Sequence, residues 1–443
     1  MLDHSQPAIV LLYALPLMLL CYRHIWRRRV RETQDAEILQ EAIQAGLTEP
    51  VSLHPEVRAD KCVGAGCCVK ACPEGALGFI DGKAQLVNPS ICIGHGACQA
   101  ACPTGAIDLV FGTERRGVDI PLVKPNFETN VAGIFIAGEL GGMGLIRKAS
   151  EQGVQSMEAI AERSQRMAQT GKASADLDVV IVGAGPAGLA AGLAATHKGL
   201  SYRMIEQEPS LGGAIFHYPR NKIAMTAPVN LPIVGKMHMT EVSKEALLAF
   251  WFKVVKQARL SIDFGHRMLQ VDRQTDGSFV VQTSQGNLHA KSVLLAIGRR
   301  GTPRQLGVAG EEQSKVVYRL VDPEQYRGQR VLVVGGGDSA VEAACSLAEL
   351  PQTTVHLSYR GEAFNRVKTK NRERLNRLTE SGRLTVWLQS NVQVIQKTAV
   401  LVEQLGTVHD IPNDAVVLCT GGVLPIPLLQ EMGIQFETKR GTA

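Results

Sequence analysis

The chain has little charge imbalance: 47 basic against 42 acidic side chains in 443 residues, a formal +5. That is too small to imply a nucleic-acid partner. Cysteine is sparse, and ten in 443 residues are too dilute for a disulfide scaffold. Glycine follows no every-third-residue period, which excludes a collagen-like rod. Neither a Ser–His–Asp arrangement nor a zinc-hydrolase pattern is found. No C-x-x-C pair occurs outside the stretch Cys62–Cys102. What the chain does have is core: 45% hydrophobic and 20% charged residues exclude disorder. Its length suits about three domains at ~150 residues each. Glycine is in excess, 44 of 443, as where backbone must approach phosphates.

Pro7 to Tyr22 is almost wholly apolar, and Arg23, Arg27, Arg28, Arg29 and Arg31 follow closely. A cleaved signal peptide would carry positive charge before the apolar run, and here Asp3 precedes it. A membrane span wants ~20 apolar residues. Residues 1–30 are therefore expected to form an uncleaved, single-pass membrane anchor. The basic flank would leave the catalytic domains on the cytoplasmic side. Residues 31–52 read as a helical linker.

Seven of the ten cysteines fall between Cys62 and Cys102, in an internal repeat. CVGAGCCVKACP from Cys62 and CIGHGACQAACP from Cys92 align at an offset of 30. The offset superposes Cys62 on Cys92, Cys68 on Cys98 and Cys72 on Cys102. Both copies resemble the bacterial two-cluster ferredoxin motif, C-x2-C-x2-C-x3-C-P. The resemblance implies that the last cysteine of each copy serves the other copy's cluster. That gives one set of Cys62, Cys68 and Cys102, and another of Cys92, Cys98 and Cys72. Thiolates are soft donors that suit such clusters. The second ligand position holds Ala65 in one copy and His95 in the other. Three-iron (3Fe-4S) clusters, or four-iron (4Fe-4S) clusters completed by His95 or the extra Cys67, both remain open. A zinc site is the structural alternative, although the Cys–Pro repeat is more typical of iron–sulfur.

Leu177–Val182 reads as a strand, Gly183-Ala-Gly185-Pro-Ala-Gly188 as a tight turn, and the Ala-rich stretch to Lys198 as a helix. The next strand ends in Glu206, 23 residues after Gly183. Strand, glycine turn, helix and terminal acid together form a dinucleotide-binding pattern. The helix N-terminus would attract pyrophosphate, and Glu206 would take ribose hydroxyls. A second unit runs from Val331 through Gly335, Gly337 and Ala340. Where the first unit has its acid, this one has Ser358, followed by Tyr359, Arg360, Arg366 and Lys368. Loss of the acid beside Arg360 and Arg366 favours NADPH over NADH. Glu362 could restore an acid, and the basic residues could instead form a solvated face.

The motif order resembles the thioredoxin reductase-like FAD/NAD(P) family: an FAD half, an inserted NAD(P) domain, and a return to FAD. In that resemblance Gly212 and Gly213 form the second flavin turn. The similar strand–Gly stretches at Leu294–Gly298 and Val417–Gly421 close the two nucleotide domains. The family's final flavin-closing strand, Gly-acid pair and helix do not follow. Phe127 to Glu139, with Gly138-Glu139 and the helix after Gly144, resembles that piece upstream, and is read as a circular permutation. The acid is commonly Asp in the family, so Glu139 is a mild departure.

The expected fold class is α/β: two dinucleotide-binding (Rossmann-like) domains, a small α+β ferredoxin-like domain and an N-terminal transmembrane helix. The expected boundaries are 53–112 for the ferredoxin-type domain and 113–165 for the permuted closing segment. FAD binding is assigned to 176–300, NAD(P) binding to 301–415, and the return to the FAD domain to 416–443. The resemblance implies an electron-transfer flavoenzyme using FAD, NADP or NAD, and iron–sulfur clusters. Its partner would be a redox carrier such as ferredoxin or a membrane redox protein, and a homodimer is open. No side chain is assigned as acid or base. His217 and Tyr218 sit either near the flavin ring or in packing. Cys345 and Cys419 are expected to be packing residues. A thiol–disulfide reductase and a membrane-tethered redox sensor are the rival functions.

Overall fold

A computed structural model describes residues 5–44, 48, 50, 53–92, 94, 96–113, 117–142, 144–170, 175–218, 220, 222–299, 301–364, 367 and 369–441. The chain divides into two compact units, one of residues 1–118 with 439–443 and one of residues 119–438.

In the first unit the sequence repeat becomes a structural repeat. Two short helices, Cys67–Ala71 and Ala97–Ala100, each start after a left-handed glycine, Gly66 or Gly96. Strand Leu77–Ile80 pairs with Lys83–Leu86, and Ile107–Val110 pairs with His54–Val57, both antiparallel. Leu77–Ile80 and Ile107–Val110 lie 30 residues apart, the offset of the cysteines. The small core is built around Cys62, Cys68, Cys98, Leu77 and Ile107. So few aliphatic side chains make a thin core, and small domains of this kind commonly lean on bound metal.

The N-terminal expectation is corrected. Among the described residues no helix is long and apolar enough to cross a membrane. The single-pass anchor and the cytoplasmic-side placement built on it therefore fall. One helix, Ser5–Gln44, runs through the apolar segment, with Pro16 inside it, and continues through the arginines. Its charged half makes protein contacts. Arg28 Nη2 donates to Gly82 O at 3.3 Å, and its guanidinium sits over the Phe79 ring, 5.6 Å from the centroid. Asp35 accepts the N–H of Phe79 at 2.7 Å, and Glu32 accepts that of Gly82. One arginine of the expected membrane flank, Arg28, thus bonds the Leu77–Leu86 hairpin together with the acids Glu32 and Asp35.

The second unit holds two main sheets, together with the antiparallel sheet of Ser390–Ile395, Ala399–Gln404 and Thr407–Pro412 and shorter pairs. In the larger, Ile262–Phe264, Tyr202–Glu206, Leu177–Val182 and the end of Gly286–Leu295 run parallel. Phe279–Thr283 and Met268–Arg273 extend it antiparallel. Ile134–Ile136 joins from upstream, parallel to Gly286–Leu295, with Ile134 opposite Val293 and Ile136 opposite Leu295. All three of its residues are 1% exposed; the strand is buried at the sheet's margin, with a single bridge from Glu128 to Phe135 on its other side. Such fully apolar runs belong in parallel sheets covered on both faces. The helix Ile146–Thr170 that follows packs on Pro186–Lys198, with Gly153 so close to Ala187 that a side chain would strike its carbonyl. The smaller sheet is wholly parallel, in the order Val316–Val317, Ala415–Leu418, Arg330–Val334, Thr354–Tyr359, Leu384–Leu388. Two segments link the sheets and pair with each other, Thr302–Pro303 against Gly422–Val423. The fold is α/β in class, with a dinucleotide-binding architecture.

Candidate functional site

The first glycine turn leaves strand Leu177–Val182 and enters helix Pro186–Lys198, which has proline in its first turn and Gly199 after its end. That placement of Pro and Gly is the favoured one for a helix. Gly183 has φ 108°, and a Cβ there would come within 2.5 Å of Ala296 O. A Cβ on Gly188 would come within 1.8 Å of Gly183 O. Only glycine lets the turn close this tightly, and it leads into the largely buried N-terminus of the 13-residue helix, which suits a phosphate.

Glu206 ends the neighbouring strand and is 6% exposed. Its Oε2 accepts the N–H of Ala184 at 2.7 Å, and its Oε1 accepts that of Glu208 at 3.0 Å. Burial pushes its pKa up, and these two N–H groups act against the rise. The second turn, Gly212–Gly213, meets the first: a Cβ on Gly213 would lie 3.0 Å from Gly185 Cα. Gly138 also reaches this place, with its Cβ position 3.0 Å from that of Ala187. Its N–H donates to Gln152 Oε1 at 2.8 Å, and Glu139 opens the one-turn helix that follows. Gly138 and Gly183–Gly188 thus come together although far apart in sequence. These glycines and the helix end suit an FAD pyrophosphate, and Glu206 suits a ribose.

His217 and Tyr218 pack nearby. His217 Nε2 lies 3.5 Å from Glu208 Oε1. Tyr218 O accepts Lys244 Nζ at 2.6 Å, and its ring packs against the larger core.

The second glycine turn follows strand Arg330–Val334. A Cβ on Gly335 would come within 2.5 Å of Cys419 O and 2.9 Å of Ala340 Cβ. Ala340 is fully buried in helix Asp338–Ala348, whereas the Cβ position of Gly337 has nothing within 4 Å. Ser358 is fully buried, its hydroxyl 2.7 Å from that of Ser390. A carboxylate at that depth would lose this partner. Arg360 is exposed just beyond, and Arg366 and Lys368 lie outside the described residues. Open space at Gly337, a helix N-terminus and Arg360 suit a phosphorylated dinucleotide.

Further residues shape this site, and apart from Tyr359 they carried no sequence signal. Tyr359 lies over Gly336 and stacks on Phe364, with centroids 5.4 Å apart. Asn371 donates to Asp338 at 3.0 Å, and Lys222, from the other nucleotide fold, pairs with Glu342 at 3.0 Å. The buried Nε of Arg372 has no hydrogen-bond partner among the described residues.

The cysteines of the repeat sort into two groups of neighbours. Burial pushes the Cys68 thiol up, and the neighbouring Cys62 and Cys102 act in the same direction. Burial pushes Cys98 up to about 11, and the neighbouring Cys92 and Cys72 act in the same direction. Backbone N–H groups aim at the sulfurs: Ala76 N lies 3.4 Å from Cys72 Sγ, and Ala106 N 3.3 Å from Cys102 Sγ. Burial also acts to raise Cys102, but the Thr104 hydroxyl and backbone N–H groups outweigh it and hold the thiol below its ordinary value. Among the described residues no three His, Cys, Asp or Glu side chains converge as for a single ion. In an iron–sulfur cluster each thiolate can hold a different iron, so such convergence is not needed. Soft sulfurs met by N–H donors fit a cluster.

Cys67 is exposed, and His95 lies outside the described residues. Glu74, which carried no signal in the motif, lines one small cavity with Cys72, Cys92 and Cys98. Burial pushes Cys345 up to about 11 and Cys419 up to about 12, which suits packing and not nucleophilic attack.

Comparison with known proteins agrees with both halves. Residues 180–442, more than half of the chain, match the family model described as pyridine nucleotide-disulphide oxidoreductase. Residues 54–103 match a 4Fe-4S dicluster domain, and nothing in the comparisons supports the three-iron alternative. Ferredoxin–NADP reductase of Thermus thermophilus is 30% identical over 275 residues, covering 59% of this chain and 78% of the relative. Ferredoxin–NADP reductase 1 of Lysinibacillus sphaericus is 28% identical over 271 residues, covering 59% and 74%. Among solved structures, bacillithiol disulfide reductase from Staphylococcus aureus shares the fold, with TM-score 0.51 and 24% identity over 58% of this chain and 80% of that one. The chain belongs to the pyridine nucleotide-disulphide oxidoreductase family, and is an FAD-dependent NAD(P)H oxidoreductase with an iron–sulfur dicluster domain.

Proposed function

We propose that this chain passes electrons between NADPH and a one-electron carrier of the ferredoxin type, by way of FAD and two iron–sulfur clusters. The observation that carries the reading is the co-occurrence, in one chain, of two glycine-turn nucleotide folds and two cysteine trios, with no accessible thiol pair outside the trios. A nicotinamide moves two electrons and a cluster one, and bound flavin supplies the exchange between them.

In this reading Gly183, Gly185, Gly188, Gly212 and Gly213 hold the FAD pyrophosphate and Glu206 its ribose. Gly138 and Glu139 close the flavin site from upstream, as a circular permutation of the family order. The buried, parallel pairing of Ile134–Ile136 with the end of Gly286–Leu295 supports that reading. Chain order is free to change this way because sheet closure depends on spatial neighbours. Gly335, Gly337 and Ala340 seat the nicotinamide dinucleotide, and Arg360 with Arg366 takes a 2′-phosphate. Cys62, Cys68 and Cys102 hold one cluster; Cys92, Cys98 and Cys72 hold the other. The chain's own task is to bind, orient and set potentials.

A thiol–disulfide reductase needs a reactive thiol pair. Outside the trios and Cys67 the chain offers only exposed Cys21, buried Cys345 and the deeply desolvated Cys419. No observation favours a redox sensor. The test is anaerobic purification, then NADPH oxidation with an artificial one-electron acceptor and, separately, with a disulfide. Turnover with the one-electron acceptor alone is expected. Turnover with the disulfide alone would overturn the proposal.

A further inference from the structure

The two cysteine trios are related by the 30-residue repeat, but their electrostatic surroundings are not. Beside Cys72, Cys92 and Cys98 lies the Glu74 carboxylate, on the wall of the same cavity. It has no salt-bridge partner among the described residues, and its charge acts on Cys92. Thirty residues on, the matching position is Thr104, whose hydroxyl lies 3.6 Å from Cys102 Sγ in the other trio.

A cation completes the contrast. Lys83 Nζ donates to the carbonyl of Cys62 at 2.5 Å. Arg28, Glu32, Asp35, Arg58 and Asp108 bond the hairpin, a glycine carbonyl or one another and not a cysteine. Arg28 sits with Glu32 and Asp35 on the Leu77–Leu86 hairpin, and Arg58 pairs with Asp108 at 3.2 Å. One half therefore has a carboxylate on the wall beside its cysteines, and the other has an ammonium on a cysteine carbonyl and a hydroxyl near a cysteine sulfur.

Reduction of a cluster adds an electron. A nearby carboxylate disfavours the added charge, while a cation or a donor to the ligating sulfur favours it. We propose that Glu74 and Lys83 poise the two clusters apart, the Cys72/Cys92/Cys98 cluster at the lower potential and the Cys62/Cys68/Cys102 cluster at the higher. An electron entering the module then settles on the second, in the half that helix Ser5–Gln44 contacts through Arg28. This makes the module directional, and it rests on the two-cluster reading above.

The test uses the full chain, purified without oxygen, as wild type, Glu74→Gln, Thr104→Val and Lys83→Met. Iron and sulfide counts come first; absence of sulfide would defeat the cluster reading itself. With two clusters in hand, paramagnetic resonance is followed through a redox titration. Two resolved midpoints are expected. Glu74→Gln should move only the lower one upward, while Thr104→Val and Lys83→Met should move only the upper one downward. A common midpoint unmoved by Glu74→Gln, or a shift of both clusters together, overturns the proposal. So does loss of iron in Glu74→Gln, which would make Glu74 a ligand and not a neighbouring charge.

Discussion

Glu206 Oε2 accepts the N–H of Ala184 at 2.7 Å, so the acid at the end of one strand holds the glycine turn of the next. The same carboxylate is the proposed ribose partner. Glu206→Gln should therefore weaken FAD binding by ~10- to 100-fold, the size of a lost hydrogen bond to a charged group, about 1.5–3 kcal/mol. Fluorescence titration of flavin-free protein with FAD measures it. Unchanged affinity would remove Glu206 from the site.

The two glycine turns differ in tolerance. Gly188→Ala places a methyl within 1.8 Å of Gly183 O and should yield flavin-free, destabilised protein. Gly337 has nothing within 4 Å of its Cβ position. Gly337→Ala should keep the melting temperature and flavin content while raising KM for NADPH. Thermal melts and steady-state kinetics on both variants check the contrast.

Coenzyme choice should respond to Arg360. A 2′-phosphate contact from an arginine is charge-assisted. Arg360→Ala should lower kcat/KM for NADPH by ~10-fold or more, on the scale of 1.5–3 kcal/mol, and leave that for NADH within about twofold. Equal losses with both coenzymes would make Arg360 part of a solvated face.

Asp178 joins three segments. Its carboxylate takes Lys291 Nζ at 2.8 Å, the N–H of Ser201 at 2.9 Å and the hydroxyl of Ser164 from the upstream helix. Burial pushes its pKa up, but these partners outweigh burial and hold it at about 2. Unfolded, it titrates near ~3.9. A carboxyl lowered in the folded state stabilises the fold fully above its unfolded pKa. That contribution, on the order of 2 kcal/mol, is lost as pH falls through about 2. Asp178→Asn should lower stability at neutral pH and flatten the stability profile between roughly pH 4 and pH 2. Urea denaturation across that range reads it out.

The thiols should separate by role. Cys98→Ser should lose one cluster's iron and sulfide, whereas Cys345→Ser, inside a helix core, should keep both. Metal and sulfide assays on anaerobic protein decide.

Local pattern made much of this readable in advance. Strand, glycine turn, helix and acid span about thirty contiguous residues, so the motifs around Gly183 and Gly335 are visible without a fold. The cysteine repeat was legible for the same reason. The N-terminal helix was legible as a helix, but not in its role. Apolar length and an arginine block look alike whether they face lipid or protein. What overturns the anchor is that no helix among the described residues is long and apolar enough to cross a membrane, and the structure adds that Arg28, Glu32 and Asp35 bond backbone groups of Phe79 and Gly82.

By itself the sequence determined which chemistry this chain carries, because phosphate cradles and thiolate ligands need fixed residue types at short, fixed spacings. Tertiary structure alone decided what surrounds that chemistry: Gly138 against Ala187, Ser358 against Ser390, Glu74 on the wall beside Cys92. Those neighbours come from segments tens of residues apart or from side-chain directions at a turn. Packing and hydrogen-bond satisfaction across the whole unit place them, and no short window of sequence contains that information.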